Sequence, residues 1–358
     1  MAPSTTIEPN PAAAEKDVDD APQISHGRVL IGKVPNYWLH SPSPPTFDLT
    51  RPAPPEFAVP SPNASIHLAT TTSSVIISPE ITALVIIDMQ NFFISTDLGR
   101  LADGAGNKAK KQLIEVAIPA ARKAGIRIIW LNWGLTDEEI DEMPPSTRRA
   151  FGFEASLSRD AKQKSLPVVD AHGVNQAAAE AIAGDKNGAT PEELTENGKP
   201  KRLYKGLGSE IGPVKLGDGT TVDGGRLLMR DTWNTALPPD LDKAYQEGKK
   251  LDQKPDIWIH KNRMSGLWSS STLCTDYLEN QGIRTLLFAG VNTDQCVGGT
   301  LQDAFTKGWD CILLEDGCGT TSPPAASECI VYNCARTWGF VTDSKSLENG
   351  VEKMLKGR

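Results

Sequence analysis

The stretch that decides the fold begins with ALVIID at residues 83–88, an unbroken apolar run that ends in an acid. A helical pattern follows over residues 108–123, and IRIIWLN at residues 126–132 is a second apolar run. Apolar runs on either side of a helix are typical of parallel strands that are buried on both faces. The stretch therefore predicts a strand, a helix and a strand, with Pro119 causing a kink or a late start of the helix.

The same alternation returns in the C-terminal part of the chain. Four further strands are predicted, at residues 256–260, 284–290, 310–316 and 339–341. Helical patterns stand between or beside them, at residues 271–281, 294–307 and 325–336. The predicted fold is α/β, a doubly wound, six-stranded, mostly parallel sheet with helices on both faces.

The 358 residues are more than one such sheet needs. Residues 1–80 form a Pro-rich arm whose composition does not predict a regular core of its own. Its apolar patches at 29–31 and 37–39 indicate that part of the arm packs on the main body or on a neighbouring subunit, the alternative being a partly disordered leader. Residues 81–358 are interpreted as one domain, with a polar insertion or cap at about 136–225 that contains a hairpin at 214–222.

Composition excludes several classes of protein. Lys and Arg number 37 against 45 Asp and Glu, a net charge of −8, which disfavours nucleic-acid and anionic-membrane partners. No apolar run reaches the ~18 residues that span a bilayer, and no secretory signal pattern is found. Six cysteines in the last quarter, without a CxxC pair, favour reduced thiols over disulfides or zinc. We expect a cytoplasmic protein without a metal or cofactor.

Three reactive residues stand at the carboxyl ends of predicted strands, where doubly wound sheets bind ligands. Asp88 closes the first strand, Lys261 follows DIWIH, and Cys296 lies at the start of a helix. A helix N-terminus and a nearby Lys stabilise a thiolate, and a carboxylate accepts its proton. Considered one at a time, Asp88 is most simply explained as a helix cap, Lys261 as a solvated loop residue and Cys296 as inert packing. Their joint placement at three strand ends favours catalysis.

The residues at these strand ends also resemble a known family. ALVIIDMQNFF (83–93), HKNRMSGLWSSS (260–271) and FAGVNTDQCVGGTLQDAF (288–305) are similar to the three signature blocks of the isochorismatase-like cysteine hydrolase superfamily. The resemblance covers about half of the chain, and the blocks are specific in their combination, order and spacing.

The resemblance implies roles for the three reactive residues. Asp88 becomes the general base, Lys261 the positioning cation and Cys296 the nucleophile that attacks an amide or ureide carbonyl and forms a thioester. The backbone N–H groups of Asn292 and Cys296 become the oxyanion hole. A cis peptide bond is implied at Val291–Asn292.

Two differences from the patterns of particular family members narrow the range of members that this chain resembles. The segment LNWGLTDEE (131–139) has no His, which disfavours a metal-dependent nicotinamidase, and the presence of Cys296 favours C–N hydrolysis over vinyl-ether cleavage. The chain looks most like ureidoacrylate amidohydrolases, biuret hydrolases and N-carbamoylsarcosine amidases.

The same resemblance suggests substrate-binding residues. Asn132 donates to a ureide carbonyl, Arg263 holds a carboxylate or fixes its loop, and Gln90 contributes to the pocket or braces Asp88. Aromatic rings at four positions wall a dry pocket or belong to the core. The predicted set is Phe93, Gln90, Asn132, Trp133, Trp233, Asn234, Arg263 and Trp268.

We expect an amidohydrolase that acts on a small amide or ureide, assembled as a homo-oligomer, either a dimer or a tetramer. Two alternatives stay open. One is an isochorismatase-type vinyl-ether hydrolase that uses Asp88 and releases pyruvate. The other is a non-catalytic binding protein on the same scaffold.

Overall fold

The computed structural model describes residues 27–52, 64–154, 168–169, 195–196, 199–200 and 204–357. Parts of the predicted arm, and most of the polar centre of the predicted cap, lie outside the described residues.

The described strands form one six-stranded sheet, one five-stranded sheet and three two-stranded ribbons. In chain order they are β1 (Val29–Lys33), β2 (Asn36–Pro42), β3 (Pro45–Asp48), β4 (Ile66–Ala69), β5 (Ser74–Ile77), β6 (Thr82–Ile87), β7 (Arg127–Trp133), β8 (Phe153–Glu154), β9 (Val168–Val169), β10 (Thr195–Glu196), β11 (Lys199–Pro200), β12 (Pro213–Lys215), β13 (Thr221–Asp223), β14 (Ile257–Lys261), β15 (Thr285–Val291), β16 (Asp310–Gly319) and β17 (Phe340–Thr342). The described α-helices are α1 (Asn91–Ile94), α2 (Ala105–Gln112), α3 (Ile118–Ala124), α4 (Asp137–Asp141), α5 (Pro145–Arg149), α6 (Pro239–Gly248), α7 (Leu273–Asn280), α8 (Gly298–Lys307), α9 (Pro324–Asn333) and α10 (Ser344–Lys356).

The central sheet has the strand order β14-β7-β6-β15-β16-β17, and every neighbouring pair is parallel. Each of its strands overlaps a predicted one, with small differences at the ends. The doubly wound α/β prediction is therefore confirmed. Continuous apolar runs form these strands because both faces of the sheet are covered.

Alternate residues of β6 enter two separate hydrophobic clusters. Val85 and Ile87 belong to one cluster, whereas Leu84 and Ile86 belong to the other. All four side chains are almost fully buried, and burial of one aliphatic side chain stabilises a fold by about 1.5–3 kcal/mol. The strand is thus held by packing on both faces.

A π-helical turn interrupts the helix that contains Pro119. Helix α2 passes through a π-helical turn, Leu113–Ala117, directly into α3, where Pro119 lies in the first turn. Proline has no N–H to bond the carbonyl of the preceding turn, and a π-turn widens the helix at that point. The predicted disturbance therefore takes the form of a π-turn before the proline.

The described part of the arm forms the five-stranded sheet β1-β2-β3-β5-β4. Its buried side chains Ile66, Val75 and Ile77 share a hydrophobic cluster with the central sheet rather than forming a separate core. Trp38 Nε1 donates to Asp310 Oδ1 at 2.8 Å, and Arg51 binds both carboxylate oxygens of Asp310. The arm is thus attached where β16 begins.

The predicted hairpin at 214–222 is confirmed by the antiparallel pair β12 and β13. Other described parts of the insertion, including Phe151, Tyr204 and Ile211, pack in the same hydrophobic cluster as Trp133 of the central sheet. Among the described residues, no helix has the length and apolar character needed to cross a bilayer.

Candidate active site

The three reactive residues lie together at the carboxyl edge of the central sheet. Asp88 directly follows β6, Lys261 is the last residue of β14, and Cys296 lies in a π-helical turn, Thr293–Val297, between β15 and α8. All three are buried. The parallel topology brings them together because the strands that carry them end at the same edge.

Lys261 contacts both of the other reactive side chains. Its Nζ atom lies 2.9 Å from Asp88 Oδ2 and 3.4 Å from Cys296 Sγ. The same Nζ donates to the carbonyl oxygens of Arg263 and Met264 at 3.1 and 3.2 Å. These four contacts fix the amine between a carboxylate and a thiol.

Burial dominates the acid–base chemistry of the group. It raises the pKa of Asp88, against the opposing charge of Lys261 and hydrogen bonds from Cys296, Lys261 and the Trp133 peptide. Burial, followed by the negative charge of Asp88, raises the pKa of Cys296 to about 12, although Lys261 and Trp133 lower it. The expected stabilisation of a thiolate by Lys261 is present but outweighed, so the resting thiol keeps its proton and needs a base.

Trp133 contacts both the carboxylate of Asp88 and the amine of Lys261. Its backbone N–H donates to Asp88 Oδ1 at 3.1 Å, and its ring centroid lies 4.0 Å from Lys261 Nζ. The indole side chain also lowers the pKa of the Cys296 thiol. Trp133 therefore contacts Asp88 and Lys261 directly.

The side chain of Gln90 forms hydrogen bonds with the backbone of Trp133. Its Oε1 accepts the Trp133 N–H at 3.1 Å, while its Nε2 donates to the carbonyl oxygens of Trp133 and Thr235 at 2.8 Å each. The side chain is fully buried. Of its two predicted roles, these contacts match the bracing of the Asp88 segment.

The peptide bond Val291–Asn292 is cis, as predicted. The residue before it, Gly290, has φ 118°, and a Cβ there would lie 2.0 Å from the carbonyl oxygen of Ile87. Only glycine fits this close approach of β15 to β6. This close contact between β15 and β6 fixes the position at which the loop that carries Asn292 and Cys296 begins.

Asn132 lies at the end of β7, next to its register partner His260 on β14. It is fully buried, and neither its Oδ1 nor its Nδ2 has a hydrogen-bond partner in the described part of the chain. An unsatisfied buried amide is costly in a folded protein, which makes Asn132 a candidate for binding a ligand.

Asn234, a predicted pocket residue, holds a loop instead. Its Oδ1 accepts from the Leu228 N–H at 2.9 Å, and its Nδ2 donates to the carbonyl oxygens of Gly224 and Arg226. Its amide is fully used by the backbone and fully buried. The neighbouring Trp233 is half-buried and packs against the same cluster as Trp133.

Arg263 and Trp268 lie at the rim of the site. Arg263 donates to the carbonyl oxygen of Asn262 at 2.8 Å, and its guanidinium lies 4.9 Å from the Trp268 ring centroid. Trp268 is 49% exposed, so it does not form a buried wall. These contacts match the loop-fixing alternative for Arg263.

A cavity of about 230 Å³ adjoins the loop that carries the cis bond. Its lining includes Phe93, Arg100, Val291, Asn292 and Thr320. A larger cavity of about 500 Å³ lies elsewhere, where Asp310 begins β16 and the arm crosses the sheet. The smaller cavity shares Asn292 with that loop, but none of the three reactive residues lines either cavity.

Two contacts were not foreseen from the sequence. Phe151, in the insertion, packs edge-on against Trp133 at 5.4 Å, and Thr300 links the loop after Lys261 to the carbonyl oxygen of Cys296. Phe151 stands in no motif and at no strand end, and Thr300, although inside the block at 288–305, was not singled out because its hydroxyl contacts depend on the folded loop. Among the described residues, no group of three or more acidic, His or Cys side chains is arranged to hold a metal.

Comparison with known proteins matches the Isochorismatase domain model to residues 228–338. The ureidoacrylate amidohydrolase RutB of Acinetobacter baylyi is 26% identical over 278 residues, which cover 76% of this chain and 84% of the relative. RutB of Klebsiella variicola is 26% identical over 286 residues, covering 78% and 91%. A solved cysteine hydrolase from Pseudomonas syringae pv. phaseolicola has a TM-score of 0.47 at 14% identity, covering 78% of this chain and 95% of that one.

The Isochorismatase domain match and the two ureidoacrylate amidohydrolase relatives identify the chain as a hydrolase that acts on C–N bonds. Within that class, residues 228–338 match the Isochorismatase domain, and the chain is similar to members of the isochorismatase-like superfamily.

Proposed function

We propose that this chain is a cysteine-dependent amidohydrolase that cleaves a C–N bond of a small amide or ureide through a thioester. One observation carries the proposal: Lys261 Nζ lies within 2.9 Å of Asp88 Oδ2 and 3.4 Å of Cys296 Sγ in a buried group. The relatives named as ureidoacrylate amidohydrolases support a ureide or amide substrate.

The first half-reaction breaks the C–N bond. Asp88 takes the thiol proton as Cys296 Sγ bonds to the carbonyl carbon, a task that the raised thiol pKa makes necessary. The backbone N–H groups of Asn292 and Cys296 hold the resulting oxyanion, and Lys261 stabilises the developing negative charge. The C–N bond then breaks, and the proton on Asp88 moves to the leaving nitrogen, which departs as ammonia or an amine.

The second half-reaction restores the enzyme. Water gives a proton to Asp88 as its oxygen bonds to the thioester carbon, and the C–S bond breaks. The proton returns from Asp88 to Cys296 Sγ, and the acid product leaves. The balance of the cycle is one water consumed for each C–N bond hydrolysed.

The remaining assignments follow from the same proposal. Residues 1–80 are an arm, residues 81–358 are the hydrolase domain, and the cap at about 136–225 sets substrate choice with the unsatisfied amide of Asn132. The six cysteines are unpaired, which supports a reducing, cytoplasmic location. The substrate is a small molecule, and the enzyme is a homo-oligomer.

A substrate screen on matched variants tests the proposal. Ureides, carbamoylated amino acids, biuret, nicotinamide and isochorismate are offered to the wild type and to Cys296→Ala, with ammonia and pyruvate as readouts. Cys329→Ala removes an exposed thiol and is the control. We expect ammonia from the wild type and Cys329→Ala, none from Cys296→Ala, and a thioester on Cys296 in acid-quenched mass spectra.

Other outcomes select the alternatives. Pyruvate release from isochorismate by the Cys296→Ala variant supports vinyl-ether cleavage through Asp88. Ammonia release by that variant contradicts the cysteine mechanism. Binding without turnover or thioester across the panel supports a non-catalytic protein.

A further inference from the structure

The larger cavity, of about 500 Å³, is separate from the reactive group. It lies where β16 and β17 begin, at Asp310 and Phe340, whereas the three reactive residues lie at the carboxyl edge of the same sheet. None of those three residues lines it. Small-molecule sites in proteins have volumes of about 300–1,000 Å³, so this cavity is large enough to hold a ligand of its own.

Aromatic side chains line this cavity from both the arm and the main domain. Trp38 and Phe47 of the arm pack with Phe340 of β17, at ring-centroid distances of 5.5–6.2 Å. The lining also includes Phe305, Trp309 and Trp338. Because aromatic rings interact most favourably with other rings, through their faces and edges, the cavity favours a planar, aromatic ligand.

Arg51 supplies a buried hydrogen-bond donor in the lining of the cavity. Its two terminal nitrogens bind the carboxylate of Asp310 at 2.6 and 2.7 Å, and its side chain is only 10% exposed. Its Nε atom is also buried, and it has no hydrogen-bond partner in the described part of the chain. A buried donor without an acceptor is unfavourable, so a ligand that brings an acceptor to Arg51 Nε stabilises the site.

The charges around the cavity favour an anion. Among the described residues that line it, Arg51 and Arg336 are basic and Asp310 is the only acid. Arg51 is paired with Asp310. Arg336 is exposed, lies 5.8 Å from the Tyr332 ring centroid, and forms no ion pair with another described residue. One positive charge is therefore left over in the lining, and a carboxylate is the natural partner of a guanidinium.

We propose that this cavity binds a small aromatic carboxylate, with its ring among the aromatic side chains and its carboxylate facing the guanidinium groups. The rings supply the apolar contacts, Arg51 Nε supplies a buried donor and Arg336 supplies the counter-charge. Because the arm and the main domain both line the cavity, the ligand also holds the arm against the domain. The inference is independent of the reaction that the enzyme catalyses.

Calorimetric titration of the full chain with 2-naphthoate tests the proposal. Two matched probes separate its parts: 2-naphthalenemethanol keeps the ring system without the charge, and cyclohexanecarboxylate keeps the charge without an aromatic ring. We expect 2-naphthoate to bind about fivefold or more tightly than either probe, because each probe lacks one of the two contacts. Equal affinity for 2-naphthoate and cyclohexanecarboxylate contradicts the role of the aromatic lining.

Two variants locate the bound probe. Arg336→Gln removes the exposed counter-charge, so it should weaken the binding of 2-naphthoate by about fivefold and leave that of 2-naphthalenemethanol unchanged. Ala335→Trp places a ring at a half-buried position in the lining and should abolish the binding of both. Arg149→Gln, at an exposed position on α5, is the control, and circular dichroism confirms that each variant is folded.

Alkylation of Cys296 by iodoacetamide separates this cavity from the reactive group. Cys296 does not line the cavity, so 2-naphthoate should leave the rate of alkylation unchanged. Protection of Cys296 that persists in Ala335→Trp places the probe at the reactive group and overturns the proposal. It is equally overturned if 2-naphthoate does not bind the full chain up to its solubility limit, or if its affinity is the same in the wild type and in Ala335→Trp.

Discussion

Lys261 Nζ lies 4.0 Å from the centroid of the Trp133 ring, and these two residues are direct register partners on β14 and β7. The ring therefore supplies one wall of the amine's environment, while Asp88 and Cys296 supply the charged and polar contacts. A cation held on an aromatic face away from water gains about 2 kcal/mol.

Trp133→Phe keeps a ring under Lys261 but removes the indole N–H. Because that group lowers the pKa of the Cys296 thiol, we expect the thiol pKa to rise and alkylation of Cys296 by iodoacetamide to slow. The measurement is the rate of modification of the Cys296 peptide by mass spectrometry between pH 8 and 10. Trp338→Phe, beside the larger cavity, should leave the rate unchanged, and an unchanged rate in Trp133→Phe would show that the indole does not act on the thiol.

Asp88→Asn should speed the alkylation of Cys296 and yet leave the enzyme nearly inactive in turnover. The charge and the hydrogen bond of Asp88 both raise the thiol pKa, so their removal lowers it while Lys261 remains. Turnover falls by about 10²–10⁴ because the general base is lost. Exposed Cys329 is the internal reference in the same digest, and slower alkylation of Cys296 in the variant contradicts this account.

The acidic limb of kcat/KM should follow deprotonation of Asp88. Burial raises the pKa of this carboxyl above its ordinary value near 3.9, so activity rises with pH through a midpoint above that value. The positive charge of Lys261 opposes this rise in the pKa of Asp88. In Lys261→Met, the acidic limb of the remaining kcat/KM should therefore move to higher pH. A limb that stays in place, or moves to lower pH, would falsify the assignment of Asp88 as the base.

The bidentate contact between Arg51 and Asp310 should hold the arm to the sheet. Asp310 is buried and also accepts from Trp38 and Thr285, so Arg51→Met leaves a buried carboxylate without its counter-charge. We expect the free energy of unfolding to fall by about 3–5 kcal/mol in urea titrations. The matched control is Lys345→Met, which breaks an exposed pair and should cause no measurable change.

Gly290→Ala should prevent folding or cost more than about 4 kcal/mol, because the new methyl collides with the backbone of Ile87. Gly282→Ala is the control: its φ is also positive, at 64°, but nothing lies within 4 Å, so the cost is about 1 kcal/mol. Thermal unfolding followed by circular dichroism measures both. Equal stability of the two variants would show that β15 and β6 can separate at this point.

Much of the site was predictable because parallel strands impose a common edge. Apolar runs located the strands, and an acid, an amine and a thiol just beyond three of them were expected to meet. Asn234 shows the limit of such reasoning: its position in the chain gave no sign that three backbone groups would occupy its amide. The pKa of the Cys296 thiol was likewise not predictable from the sequence, because burial is a property of the folded state.

The sequence alone determined the doubly wound sheet and the three reactive residues, since continuous apolar runs and strand ends are local features of the chain. Only the tertiary structure decided that Trp133 contacts both Asp88 and Lys261 and that the arm forms a sheet anchored on Asp310. These features depend on contacts between distant segments, on burial and on the twist of the sheet, and no local pattern in the chain encodes them.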